Sequence, residues 1–370
     1  MYPPRPQRVL SSGLAKEMVL NKARHFMLMG RSAVARAPRT PMIAAGALLL
    51  GWTATRAASS ARGGPAPFYA APAGGTSGGS YAQQAWARDG FHEYTLLRSR
   101  DAGADSKLLT FKLPEAMRTL GGAVISGVKV RKTIGGEALD KSYSPTSHCE
   151  AAGTFDLLVK AYAPRPGGGL GAYLCGLAPG DAAEMKIKPP KKLAAGEALG
   201  RGRYRRISML AGGTGVAPFM NLAATLLADA DDATLLDLVV SHREAPDALL
   251  RGELEALADA SNGRLRVHHT FSRAGEARAP PAAARAAASG PFHSLGAGRI
   301  DVDLARAMLP DAAEHGVFVL VCGTDGFVGD MAGPIERVRD PVTNKKTKIQ
   351  GPTLGVLGEL GFAPDQVFKL

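Results

Sequence analysis

The sequence predicts a two-domain β plus α/β protein, an antiparallel β-barrel over 90–195 followed by a doubly wound parallel sheet over 203–370. Three observations carry that reading. From His92 to Leu193 short strands succeed one another with turn residues between them and little helical period, as in a small antiparallel barrel. From Arg203 onward apolar strands alternate with helical segments, the rhythm of a parallel sheet covered on both faces. The third is the junction at 207–222. There an apolar run, Ile207-Ser208-Met209-Leu210-Ala211, leads straight into GGTGVAPFMNL, so strand, glycine turn and helix follow without a gap.

Residues 1–80 precede the barrel. Residues 1–62 hold ten Lys or Arg and one acid, Glu17, which places +9 of the chain's +12 in this segment. Arg-rich, acid-poor and Ser-containing, the segment has the composition of an organelle presequence, and mitochondrial import is expected. Leu20 to Leu28 suits a basic amphipathic helix. Met42 to Ala54, MIAAGALLLGWTA, is uncharged between Arg39 and Arg56. It is shorter than the roughly 20 residues that cross a bilayer comfortably, so it is expected as a short membrane anchor or part of a cleaved signal. The expected location is mitochondrial, at the inner membrane or in the intermembrane space. Residues 62–80, rich in Gly, Pro, Ala and Ser, read as a flexible tether.

Barrel strands are expected at Tyr94–Arg98, Lys107–Leu113, Gly127–Lys132 and Phe155–Tyr162, punctuated by Gly121-Gly122 and Gly135-Gly136. In the second domain the expected strands are Ile207–Ala211, Leu235–Ser241, Arg264–Phe271 and Val317–Cys322. Helices are expected near 218–228, 247–260, 301–309 and 352–360. The Ala-, Arg- and Pro-rich stretch from Ala274 to Gly290 reads as a surface insertion.

Composition removes several function classes. With the N-terminal charge set aside the body carries only +3, which argues against nucleic-acid binding. Cys149, Cys175 and Cys322 are widely spaced, with no CxxC pair, which argues against a zinc site, an iron–sulfur cluster or a disulfide framework. His268 and His269 fall on opposite faces of one strand and share no metal.

The chemistry sits in four ordered segments. Gly212, Gly213 and Gly215 let backbone N–H groups approach a phosphate, and the following helix N-terminus favours its charge. Pro218 suits the first helical turn, where its missing N–H costs nothing. Lys141 to Ser147, KSYSPTS, comes first in the chain. Asp156 to Tyr162, DLLVKAY, follows with the glycine run Gly167 to Gly171. Val321 to Phe327, VCGTDGF, closes the series at a strand end.

In this order and spacing the segments resemble the flavin reductases built like ferredoxin–NADP reductase, and among them the NADH–cytochrome b5 reductases. The resemblance covers residues 90–370 and includes DALLRGELEAL at 247–257 and the ending LGELGFAPDQVFKL. It implies a barrel that binds FAD and a second domain that binds NADH. Lys141, Ser142, Tyr143, Ser144, Leu158, Lys160, Gly169, Leu170, Gly171 and Thr214 would contact FAD. Tyr143 would lie against the isoalloxazine ring and Ser144 would hydrogen-bond near its N5. Gly212, Gly213, Gly215, Pro218, Asp247, Cys322, Gly323 and Phe327 would hold NADH, with Cys322 shaping the pocket where nicotinamide meets flavin. Tyr143, Ser144 and Cys322 are the implied catalytic residues.

Two positions depart from the pattern. Lys141 stands where the family has arginine and lacks its bidentate fork. Gly171 stands where a serine is usual, so one hydroxyl is missing and looser FAD binding is expected. The amides of Gly169, Leu170 and Gly171 remain, and Lys160 adds a second positive charge. Asp247 matches the acidic position that favours NADH over NADPH, while Arg243, four residues earlier, suits a 2′-phosphate. The implied reaction moves hydride from NADH to FAD and then single electrons to cytochrome b5 or another small haem protein. Barrel lysines would meet an acidic partner. A quinone acceptor and a non-catalytic binding protein are the alternatives.

Overall fold

The structure, a computed structural model, describes residues 89–115, 117–120, 127–148, 150–162, 169–188, 199, 202–273, 292–339 and 346–370. Expectations for the N-terminal segment, including 42–54, for Gly121-Gly122, for Cys149, for Gly167 and Gly168, and for the insertion from Ala274 to Gly290 lie outside the described residues.

Six strands form the first sheet: β1 (His92–Asp101), β2 (Ser106–Lys112), β3 (Gly127–Ile134), β4 (Glu137–Tyr143), β5 (Thr154–Lys160) and β6 (Ala182–Lys188). Their order is β4-β3-β6-β1-β2-β5, every pair antiparallel. A bridge between Pro145 and Leu157 joins the β4 end to β5, so the two edges meet and the sheet closes. Alternation puts one face inward. Tyr94, Leu96, Phe111, Val128, Val130, Phe155, Leu157 and Met185 fill the interior, with Tyr94 and Phe155 edge to face at 5.6 Å. A short helix, α1 (Leu170–Cys175), buries Leu170 and Leu174 against this core.

The second sheet is parallel throughout, in the order β10-β9-β8-β7-β11-β14. Its strands are β7 (Arg206–Gly212), β8 (Leu235–His242), β9 (Leu265–Phe271), β10 (Phe292–Ala297), β11 (Val317–Cys322) and β14 (Val367–Lys369). A separate exposed ribbon pairs β12 (Glu336–Arg339) with β13 (Lys346–Ile349). Two apolar clusters lie on the two faces of the parallel sheet. One contains α2 (Ala217–Ala228) and α3 (Arg251–Ala260); the other contains α4 (Val302–Met308), α5 (Asp325–Ala332) and α6 (Gly355–Glu359). The buried Asp237 carboxylate is held by Arg206 at 3.2 Å and Arg266 at 2.6 Å, so its charge is paired where it leaves water.

Chain order runs outward from β7 to β8, β9 and β10 on one side, and resumes with β11 on the other. The sheet therefore reverses between β7 and β11, and a ligand crevice is expected beyond the carboxyl ends of those two strands. Helix α3 begins four residues later than the periodicity predicts. Leu250 adopts a left-handed φ of 55° and breaks the run, so Asp247 lies in a preceding 3₁₀ turn, Ala245–Asp247, not in the helix.

Candidate functional site

A cavity of about 910 Å³ opens where the barrel meets the carboxyl ends of the parallel strands. The barrel wall comes from the end of β4, with Lys141, Ser142 and Tyr143, then Ser144, and from Leu158 and Lys160 of β5. The facing wall comes from both sides of the reversal point. Gly212, Gly213, Thr214, Gly215 and Pro218 follow β7, and Cys322, Gly323 and Phe327 follow β11. Asp247 also lines the cavity, beside His242. Fifteen of the eighteen residues named from the sequence thus share one cavity. Gly169, Leu170 and Gly171 are not among its lining residues; they form the N-terminus of α1, and Leu170 is 5% exposed within the barrel core.

Local packing explains the glycines. A Cβ on Gly212 would lie 2.7 Å from the Phe327 ring, and one on Gly323 would lie 2.6 Å from it. Phe327 therefore fills the gap between the two strand ends, and both neighbours must lack side chains. A Cβ on Gly215 would overlap the Cys322 carbonyl oxygen, so this glycine lets the turn after β7 sit against the end of β11. Gly213 has φ 54° and nothing within 4 Å of its Cβ position, the conformation that glycine adopts without cost. Pro218 falls in the first turn of α2, as its fixed φ favours. Thr324 caps α5 by accepting from the Phe327 amide at 3.3 Å.

The barrel wall is aromatic and cationic. The Lys141 ammonium lies 5.6 Å from the Tyr143 ring centroid and 5.1 Å from that of Tyr162. Burial, with smaller contributions from Cys175 and Tyr162, pushes the Tyr143 phenol well above its ordinary pKa of 10, so it stays protonated. Its buried oxygen has no hydrogen-bond partner among the described residues, an unmet polar group at a wall built to receive a ligand. Lys160 differs from expectation in one respect. Its ammonium is 2.6 Å from the Asp105 carboxylate, so this positive charge comes with a negative partner on the same wall.

The structure adds residues that motif reading did not name. Ser241 and His242 at the end of β8, and Ser272 just past β9, line the dinucleotide side with Arg299. The signal that could have found Ser241, His242 and Ser272 is their place at or just past the carboxyl ends of β8 and β9, where ligands of such sheets lie. Asp105 carried no such signal, because its link to Lys160 spans 55 residues.

Residues 93–192 match the oxidoreductase FAD-binding domain and residues 209–332 the oxidoreductase NAD-binding domain. The chain is 31% identical over 268 residues to NADH-cytochrome b5 reductase 2 of Chaetomium globosum, covering 72% of this chain and 68% of that one. The same relative in Neurospora crassa is also 31% identical, over 267 residues. The chain belongs to the NADH–cytochrome b5 reductases. Its fold agrees with the cytochrome b5 reductase domain of Ulva prolifera nitrate reductase, with a TM-score of 0.56 at 25% identity, over 76% of this chain and 98% of that domain. Among the described residues of this reductase no helix is long and apolar enough to cross a membrane, and no group of His, Cys, Asp and Glu could hold a metal.

Proposed function

We propose that this chain takes hydride from NADH onto FAD and passes electrons singly to cytochrome b5. The observation that carries the proposal is a single cavity with an aromatic, cationic barrel wall facing the glycine turns at the sheet's reversal point. Bound there, FAD supplies the chemistry that accepts electrons in pairs and releases them singly.

The chain's own residues bind and orient. Tyr143 offers an aromatic plane and a protonated phenol still lacking a partner. Lys141 brings positive charge beside that plane. Ser144 supplies a hydroxyl on the same wall, and the amides of Gly169, Leu170 and Gly171 are the proposed phosphate donors at the N-terminus of α1. Opposite, Gly212 to Gly215 accept the dinucleotide phosphates. Cys322, Gly323 and Phe327 set how close the nicotinamide comes to the flavin. Proximity and orientation supply most of the rate, and no acid–base pair is needed. Asp247 in the cavity lining favours NADH, since a 2′-phosphate there would meet a carboxylate.

Purified protein kept with excess FAD should show flavin absorbance that bleaches on adding NADH, with NADPH slower, and recovers on adding oxidised cytochrome b5. Loss of any one step would overturn the corresponding part of the assignment. Cys322→Ser should slow flavin reduction at least tenfold while changing NADH affinity much less, because the residue sets geometry more than binding. Equal stopped-flow rates would remove that role.

The basic N-terminal segment is proposed to direct the protein to mitochondria, with 42–54 as a membrane contact. A fusion of residues 1–80 to a fluorescent reporter tests both, and a cytosolic signal would refute them.

A further inference from the structure

The dinucleotide side of the cavity contains a buried pair of imidazoles that the proposed hydride transfer does not use. His242, the last residue of β8, lines the cavity and yet is only 4% exposed. Its Nε2 lies 3.0 Å from Nδ1 of His269, a fully buried residue of β9 that is not among the lining residues. Register explains the meeting. Val240 pairs with His269 and His242 with Phe271, so alternation brings all four side chains to one face of the sheet. The Phe271 ring lies 5.8 Å from that of His242, inclined by 29°. One hydrogen bond and one ring contact thus hold His242 from within the sheet.

The ring's other nitrogen is the informative one. His242 Nδ1 is buried and has no aligned hydrogen-bond partner among the described residues. Buried polar atoms are nearly always paired, so an orphan on a residue of the cavity wall marks a place for an incoming group. Asp247, in the same lining, favours a proton on this ring through its backbone and its carboxylate, but burial is the larger effect and lowers the His242 pKa to about 4. The ring is therefore neutral near neutral pH, with one nitrogen protonated and the other bare. Two arrangements are open to the pair. Either His242 Nε2–H donates to His269 and Nδ1 is left as an acceptor, or His269 Nδ1–H donates to His242 and Nδ1–H is left as a donor. Because Asp247 favours a proton on the nitrogen that His269 does not engage, the second arrangement holds.

A ribose hydroxyl both gives and accepts a hydrogen bond, whereas a carboxylate only accepts. Asp247 alone would leave the hydroxyl oxygen unanswered. We propose that His242, its tautomer set by His269, donates from Nδ1 to the ribose 2′-hydroxyl that itself donates to Asp247. This rests on the proposed function and adds a second reader of that hydroxyl to the NADH site. His242 binds the coenzyme; His269, which touches no ligand, is a positioning residue. A site that meets a hydroxyl with both a donor and an acceptor discriminates against an analogue without it, because its own polar groups are then left unpaired.

The test uses the full chain, loaded with FAD, and compares NADH with 2′-deoxy-NADH, which lacks the adenosine ribose 2′-hydroxyl. Wild type should prefer NADH. His242→Leu should raise KM for NADH roughly three- to tenfold, change kcat less, and shrink the preference over 2′-deoxy-NADH by a similar factor. His269→Leu should do the same, since it frees His242 to take the other tautomer. The double variant should be no worse than His242→Leu, because His269 acts only through His242. His269→Asn, whose amide N–H can stand near the Nδ1 position, should recover most of the preference. Flavin absorbance and Tm report folding in each variant. A pair with a merely structural role would lower Tm and leave the ratio between the two donors unchanged, and that result overturns the proposal, as does equal use of the two donors by wild type. Loss of preference in His242→Leu but not in His269→Leu would remove the role of His269. If NADH fails to reduce the wild-type flavin at all, the proposed function falls and this site with it.

Discussion

Gly171 lies in α1 where that helix crosses the end of β5, and a Cβ there would overlap the Lys160 carbonyl oxygen and sit 3.8 Å from the Tyr162 ring. From the sequence the residue reads as a hydroxyl lost from a phosphate site. The structure gives it a different job, permitting close helix–strand contact. Restoring the family's serine should therefore do harm. Gly171→Ser would gain helix propensity of a few tenths of a kcal/mol but force α1 away from β5, an overpacking cost of about 1–3 kcal/mol. The expected outcome is a lower Tm and weaker FAD retention, measured by thermal unfolding and flavin titration. Tighter FAD binding in the variant would restore the lost-hydroxyl reading. The clash leaves no mark in the sequence, because it involves a backbone carbonyl eleven residues away across a break in regular structure.

At the level of elements, the strands with strong apolar character were legible: β2, β5, β7, β8, β9 and β11 fall close to their predicted ranges. Strand β4 was not, since EALDKSY exposes nearly every residue and carries no alternating pattern. Its signal lay in the turn before it. Gly135 and Gly136 have φ of 59° and 84°, the two-glycine hairpin that matches strand twist. Strand β14 is three residues long, and α5 is masked by its glycines, so neither offers a full period to read. The histidines of β8 and β9 give these strands a pH dependence. His242 Nε2 lies 3.0 Å from His269 Nδ1, and burial lowers the pKa values of His242 and His268 to about 4, with Asp247 opposing the shift at His242. Between pH 6.5 and about 4 the unfolded chain binds protons that the folded chain refuses. Stability is thus complete above 6.5 and falls as the pH drops, by up to ~3 kcal/mol per ring. Tm measured from pH 7 to 4.5 should decline, and more gently in His268→Leu. Parallel declines in the two proteins would mean that this ring does not carry the effect.

For the molecule as a whole, hydride transfer requires that two lobes hold their halves of the cavity in register. The barrel residues Leu108 and Leu158 belong to the same apolar cluster as α2 and α3, so the lobes share a core and do not merely touch. Arg100 of β1 pairs with Glu253 of α3 at the rim. A directed bond adds to these: Asn221, 6% exposed on α2, donates its side-chain amide to the Ser147 carbonyl oxygen. That bond ties the helix that opens at the glycine turn to the loop that follows Tyr143 and Ser144. Ser147 is itself fixed, its hydroxyl accepting from the Asp156 amide at 3.1 Å. Leu108 and Leu158 keep the lobes together whether or not Asn221 is present; Asn221 sets their alignment. Asn221→Ala should therefore leave the fold and its flavin spectrum intact, with a stability loss of about 1–3 kcal/mol for the unpaired carbonyl. The same change should slow flavin reduction by NADH tenfold or more, because a misplacement of about 1 Å can cost as much as 10²-fold in rate. Stopped-flow reduction at saturating NADH isolates that step from binding and from acceptor docking. A wild-type rate in the variant would show that the shared core alone fixes the distance between the two walls.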